Sequence, residues 1–141
     1  MQAPSAGNQQ PWEFYVVTDQ EILKELSGAS RYAGCAAGAP CAIVSAYREK
    51  ARFDECILID MAICQENMWL EATALGLGGV MLGIAPLEER MQVVEKALHI
   101  PAGLRAFSVF PLGYPAETRT QQDRWDESRI HTVQTHAADA V

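Results

Sequence analysis

The run from Ile57 to Leu77 constrains this chain more than any other. It is the most apolar segment, yet Asp60, Glu66 and Glu71 interrupt it. Carboxylates spread through such a run exclude a membrane span. The pattern predicts a helix over about 55–76, ended by Gly76, Gly78 and Gly79. The helix is apolar on nearly every side, so it is expected to be buried all round. It is more apolar than one small domain needs, which favours burial against a second copy of the chain, and 141 residues suffice for one domain that buries roughly two-thirds of its unfolded surface.

Around this helix, short strands alternate with helices. Phe14-Tyr15-Val16-Val17-Thr18 reads as a strand, within a predicted 13–18. Asp19 can cap a helix whose apolar positions Ile22, Leu23 and Leu26 share one face, with Gly28 ending it. Residues 28–40 read as loop with room for a helical turn. Further strands are predicted over 41–47, 79–84 and 104–112, the last closed by Gly113-Tyr114-Pro115. Pro86 suits the first turn of a helix over Leu87–Leu98. Residues 1–115 form the expected core, and 116–141 a polar tail with Trp125, Ile130 and Val133 as its few apolar anchors. The fold class is α/β or α+β, a sheet with helices packed against it.

Eighteen acidic against eleven basic residues leave a net charge of −7, which disfavours nucleic acid and anionic membranes as partners. No basic, then apolar, leader is present at the start of the sequence. Cys35, Cys41, Cys56 and Cys64 show no C-x-x-C spacing. They read as buried free thiols of a reducing cytoplasm, with a cysteine-rich metal-binding domain as a rival reading. His99, His131 and His136 are scattered, so neither an acid–base pair nor a metal site is expected.

The stretch "APSAGNQQPWEFYVV" carries the strongest local signal. Two prolines and a glycine set the backbone, amides bond in any protonation state, and Trp12 offers a flat apolar wall. Together with "IDMAICQENMWLEATALGLGGVMLGIAP" and "GYPAETRTQQDRWDESRIH", it resembles the FMN-dependent nitroreductase family, in the family's order and over residues 2 to about 131. The resemblance implies an α+β, three-layer-like fold, with a mixed, mainly antiparallel sheet flanked by helices and FMN at a homodimer interface. It also implies electron transfer from NADH or NADPH through FMN to a nitroaromatic, a quinone or a related acceptor. The chemistry then belongs to the flavin, so no residue of the chain is expected to be catalytic.

Carried over residue by residue, Pro4, Ser5 and Asn8 match loop positions that reach the flavin of the opposite subunit. Gln10 is open to two roles, flavin contact or bracing of the loop. Leu82 and Gly83 match the segment along the reactive ring edge, where a missing Cβ lets the main chain approach closely. Arg124 matches a basic position that pairs with the FMN phosphate, with Arg119 and Arg129 close by. Plainer alternatives stand beside these: a turn cap for Asn8, strand packing for Gly83, a solvated charge for Arg124. Met61, Met68 and Trp69 read as core or dimer interface. Family members begin about one helix earlier with an Arg-Arg-Ser type motif, so the resemblance also implies a shortened N-terminus. A flavin-binding remnant without turnover is the corresponding alternative.

Overall fold

The computed structural model describes residues 1–118 and 120–133. In chain order the elements are β1 (Trp12–Val17), α1 (Gln20–Leu26), β2 (Cys41–Arg48), α2 (Ile57–Ala74), β3 (Gly78–Gly79), β4 (Leu82–Gly83), α3 (Glu88–Ala97) and β5 (Leu104–Gly113). The sheet order is β1-β2-β5-β3, with β4 also on β5, and every pairing is antiparallel. One layer of helices, α1 and α3, covers the sheet face bearing Ala42, Val44, Ala106 and Val109. The other face, bearing Phe107, Phe110 and Leu112, packs on α2. This is the expected three-layer α+β arrangement.

Local chemistry explains most boundaries. The Asp19 carboxylate accepts from the N–H groups of Glu21 (2.9 Å) and Ile22 (3.2 Å), starting α1, while Leu23 and Leu26 bury its inner face. Residues 27–40 contain 3₁₀ turns over Ser27–Ala29 and Ala33–Gly38. A 3₁₀ turn at Asp54–Cys56 delays α2 to Ile57. The strand expected over 79–84 is instead two short bridges, because β3 and β4 each pair only two residues with β5. Pro86 lies outside α3, which begins at Glu88, and its peptide bond to Ala85 is cis.

Within one chain the long helix is buried on one side. Met61 and Cys64 are core, and the Trp69 ring packs on Phe110 at 5.8 Å between centroids. The outer face is open: Ile59 and Leu70 are each 61% exposed, and Leu58 and Ile63 are exposed as well. One chain covers only one side of α2. The thiols also differ from expectation, since only Cys64 is buried and Cys35 is exposed. Trp12 offers no wall to a ligand; it is buried with Ile57, Met61 and Phe107. Among the described residues no three His, Cys, Asp or Glu side chains cluster as metal ligands. No described helix is long and apolar enough to cross a membrane.

Where β2 meets β5, Ser45 opposes Ser108 but Ala46 opposes Ala106, leaving Phe107 as the extra residue of a bulge. Its carbonyl accepts from both Ile84 N–H (3.1 Å) and Ala85 N–H (3.0 Å). The bulge therefore sets where β4 lies.

Candidate functional site

The N-terminal loop is held from below by α2. Gly7, Asn8 and Gln10 have positive φ (52°, 56° and 45°), which a glycine and two amide residues tolerate within and just after a 3₁₀ turn over Ala6–Asn8. At Gly7 a Cβ would also collide with the Phe53 ring. The Gln9 amide makes two hydrogen bonds to the Phe53 backbone, accepting from its N–H at 2.9 Å and donating to its carbonyl at 3.1 Å. The same Nε2 donates to Asp60 Oδ2 at 2.6 Å, while Ala6 N–H donates to Asp60 Oδ1 at 2.9 Å. Asp60 is thus buried with both oxygens engaged. Arg48 donates to the carbonyls of Gln9 and Gln10 and pairs with Glu13 at 3.0 Å.

This scaffold presents the loop's tip. Pro4, Asn8 and Gln10 are exposed and Ser5 is half-buried. Ser5 Oγ accepts from Gln10 N–H at 3.0 Å, so Gln10 does brace the loop, through its backbone. The Ser5 hydroxyl proton stays available to an external acceptor.

The second cluster is β4. Ile84 N–H bonds into β5, so alternation along an antiparallel ladder turns the N–H and C=O of Gly83 away from β5. Nothing lies within 4 Å of the position a Gly83 Cβ would take. Gly83 is exposed, while Leu82 is buried beneath it. An outward backbone donor with no side chain above it suits a flat ring whose edge carries acceptors. The Gly83 carbonyl, in turn, accepts from Arg90 Nη1 at 2.9 Å.

Arg124 joins neither cluster. Its guanidinium bonds Gln122 Oε1 at 3.1 and 2.6 Å within the exposed tail. Arg129 pairs with Asp126 at 2.8 Å, and Arg119 and His136 lie outside the described residues. The structure thus gathers Pro4, Ser5, Asn8 and Gln10 in one place and Leu82 with Gly83 in another. The supports Gln9, Arg48, Asp60 and Arg90 were missed by sequence reasoning. For Asp60 a signal existed, an acid in the first turn of α2 among apolar neighbours.

Two further polar features lie nearby. Arg105 bonds Glu95 (2.8 Å) and Glu88 (2.6 Å), and its guanidinium holds the Glu88 carboxyl below the usual glutamate range. Beneath α2, Ser108 donates to Gln65 Oε1 at 2.7 Å and meets Ser45 Oγ at 2.7 Å, while Gln65 Nε2 is buried without a partner among the described residues. An apolar cleft of about 440 Å³ opens between Ile43, Met68, Leu75 and Leu112.

The profile of the nitroreductase family matches residues 1–33 and 29–114. An Archaeoglobus fulgidus protein provisionally named NADH dehydrogenase/NAD(P)H nitroreductase is 41% identical over 137 residues, spanning 93% of this chain and 78% of its own length. Among solved structures, a provisionally named NADH oxidase from Clostridium acetobutylicum superposes with a TM-score of 0.90 at 43% identity. That match covers 96% of this chain and 82% of the other. An FMN-dependent nitroreductase from Clostridium difficile shares the fold, with a TM-score of 0.85 at 23% identity over 95% of this chain and 82% of its own.

Proposed function

The chain belongs to the nitroreductase family of oxidoreductases, and from that premise we propose that it binds FMN and passes electrons from NADH or NADPH to a nitroaromatic, quinone or related acceptor. The observation that carries the reading is Gly83, an outward-facing backbone donor with open space where a side chain would stand. FMN held there would supply the two-electron exchange between a nicotinamide and the acceptor.

The chain's own residues bind and orient. Gly83 N–H would bond the ring edge, and buried Leu82 gives that strand a fixed seat in the core. Ser5 and Asn8 would offer a hydroxyl and an amide to the ribityl chain or phosphate, from a loop that Asp60 keeps rigid. Pro4 and Gln10 shape that loop. Arg124 would meet the phosphate, a role that suits a guanidinium fork.

These parts come together in a homodimer. Ile59, Ile63 and Leu70 fall at i, i+4 and i+11, one exposed stripe along α2 that a second copy would cover. Residues 1–115 would form the core of each subunit, and the tail 116–141, with Trp125 76% exposed, would cross to the partner. Free thiols fit a reducing cytoplasm. The test is to titrate the purified full chain with FMN, then add NADH or NADPH without oxygen. Flavin uptake followed by bleaching of its visible band is expected. Uptake without bleaching would instead make the chain a flavin carrier without turnover, and no uptake would refute the proposal.

A further inference from the structure

Two apolar features of this chain lack a counterpart within it. The first is the cleft of about 440 Å³ walled by Ile43, Met68, Leu75 and Leu112. Glu71 stands on its rim, exposed and without a cation paired to it among the described residues. The second is Trp125, 76% exposed on the tail, its indole N–H unbonded among the described residues. Its own subunit gives that ring no seat.

The cleft is distinct from the outward stripe of α2. Met68, Glu71 and Leu75 follow one another at i, i+3 and i+7, about a third of a turn round the helix from Ile59, Ile63 and Leu70. A second copy seated on that stripe therefore leaves the cleft open at its side. Ala3 lines the cleft and runs directly into Pro4 and Ser5, so the cleft adjoins the loop that bears Ser5 and Asn8. The tail leaves its own sheet at Pro115, packed beside Gly78. From there to Trp125 the chain spans roughly 33 Å when extended, enough to reach a neighbouring subunit.

We propose that the cleft is the receptor for a second copy's tail: the partner's Trp125 enters it and donates its indole N–H to the Glu71 carboxylate. The inference rests on the dimer and the crossing tail of the functional reading above. A buried tryptophan needs apolar walls and one acceptor, and this cleft supplies both side by side. Docking there also accounts for a site drawn from two subunits. Arg124 precedes Trp125, so seating the ring sets the partner's Arg124 beside Ser5 and Asn8, the residues proposed to meet the ribityl chain or phosphate.

The experiment compares full-length Trp125→Ala, Leu75→Lys and the double variant with the parent, by sedimentation over a dilution series and by FMN titration. Both residues are exposed in one chain, so the thermal midpoint of the dilute protein should stay near the parent's. Each single change should weaken dimerisation about tenfold to hundredfold, the range for a truncated anchor residue, and weaken FMN binding with it. The double variant should be no weaker than the worse single one, since both break the same contact. Mixing Trp125→Ala chains with Leu75→Lys chains decides whose cleft is filled. A mixed dimer keeps one unchanged Trp125 facing one unchanged cleft, so the mixture should dimerise more tightly than either variant alone. No gain on mixing, additive losses in the double variant, or a monomeric parent would overturn the proposal. A parent that dimerises through this contact without taking up FMN would support the docking and refute the flavin reading.

Discussion

Gln9 and Asp60 meet side chain to side chain at 2.6 Å across 51 residues of sequence. The contact ties the exposed N-terminal loop to the first turns of the central helix. Asp60 holds a second loop donor, Ala6 N–H, so one carboxylate fixes both the start and the end of the turn that bears Asn8.

Asp60→Ala leaves two donors without an acceptor in a buried place, each a hydrogen bond to a charged group. We expect destabilisation of about 2–4 kcal/mol by urea unfolding. FMN affinity should fall further than stability alone explains, since Ser5 and Asn8 lose their frame. A variant as stable as the parent would show that the loop is held by Phe53 and Arg48 instead.

Gly83→Val is a cleaner probe of the ring edge. Its backbone φ is not in the left-handed region and no atom lies within 4 Å of the new Cβ, so the thermal midpoint should stay near the parent's. FMN binding should weaken about tenfold or more, because a branched side chain fills the space the ring would use. Undiminished flavin occupancy in a folded variant would remove Gly83 from the site. The contrast is Gly79→Ala, where a Cβ would stand 2.8 Å from both Phe110 Cε2 and the Pro111 carbonyl, so that change should unfold the edge of the sheet.

Beneath α2, Gln65 carries a buried amide donor with no partner among the described residues, at a cost of about 1–3 kcal/mol. Gln65→Leu removes that donor but leaves one serine hydroxyl of the Ser45–Ser108 pair without an acceptor. Its stability should stay within about 1 kcal/mol of the parent by denaturant unfolding. Gln65→Ala should cost about 2–4 kcal/mol through the cavity it opens. Equal losses in the two would show that the amide has a partner, such as an ordered water.

Cys64 and Tyr47 should govern the alkaline limb of stability. Burial pushes both the Cys64 thiol and the Tyr47 phenol up from their ordinary values, with Arg105 partly offsetting the shift at Tyr47. A raised folded value means the unfolded chain loses its proton first. Stability is then complete below about pH 8.5 and declines as pH rises through the two folded values. Cys64→Ala and Tyr47→Phe should each flatten the pH dependence of the thermal midpoint above about pH 9. An unchanged slope in both variants would assign the limb to other groups.

Removing the residues after Pro115 tests the tail. If the tail crosses to a partner, the shortened chain should sediment with a greater monomer fraction and hold less FMN, because assembly and cofactor binding are then linked. A fully dimeric, fully flavinated product would make Arg124 a surface charge.

Local chemistry made much of this fold legible. The Asp19 cap, the apolar strands at Trp12–Val17 and Cys41–Arg48, and the glycines after α2 all act over a few residues. The break between β3 and β4 was not legible, because it depends on which atoms of β5 are free to pair, and Phe107 decides that from a distance. The site divides in the same way. Ser5, Asn8 and Gly83 stand out by motif, whereas Gln9–Asp60 and Arg90–Gly83 are tertiary hydrogen bonds with no periodic trace. Which face of α2 a single chain covers was not legible, because composition reports how apolar a helix is and not how many neighbours one chain can bring to it.

Among the described residues β5 is the hub of the sheet and also its last strand in chain order. Cys41 is paired with Leu112 across 71 residues, and among the described residues β3 and β4 join no strand but β5. A nascent chain therefore carries α2 outside the ribosome, apolar on both faces, before the strand that covers its inner side exists. Closure over such sequence distances is slow compared with helical folds, and the waiting species exposes both oily surface and unpaired strand edge. The chain's vulnerable moment is thus in its making: its yield in a cell depends on how well that half-built helix is shielded until Gly113 emerges.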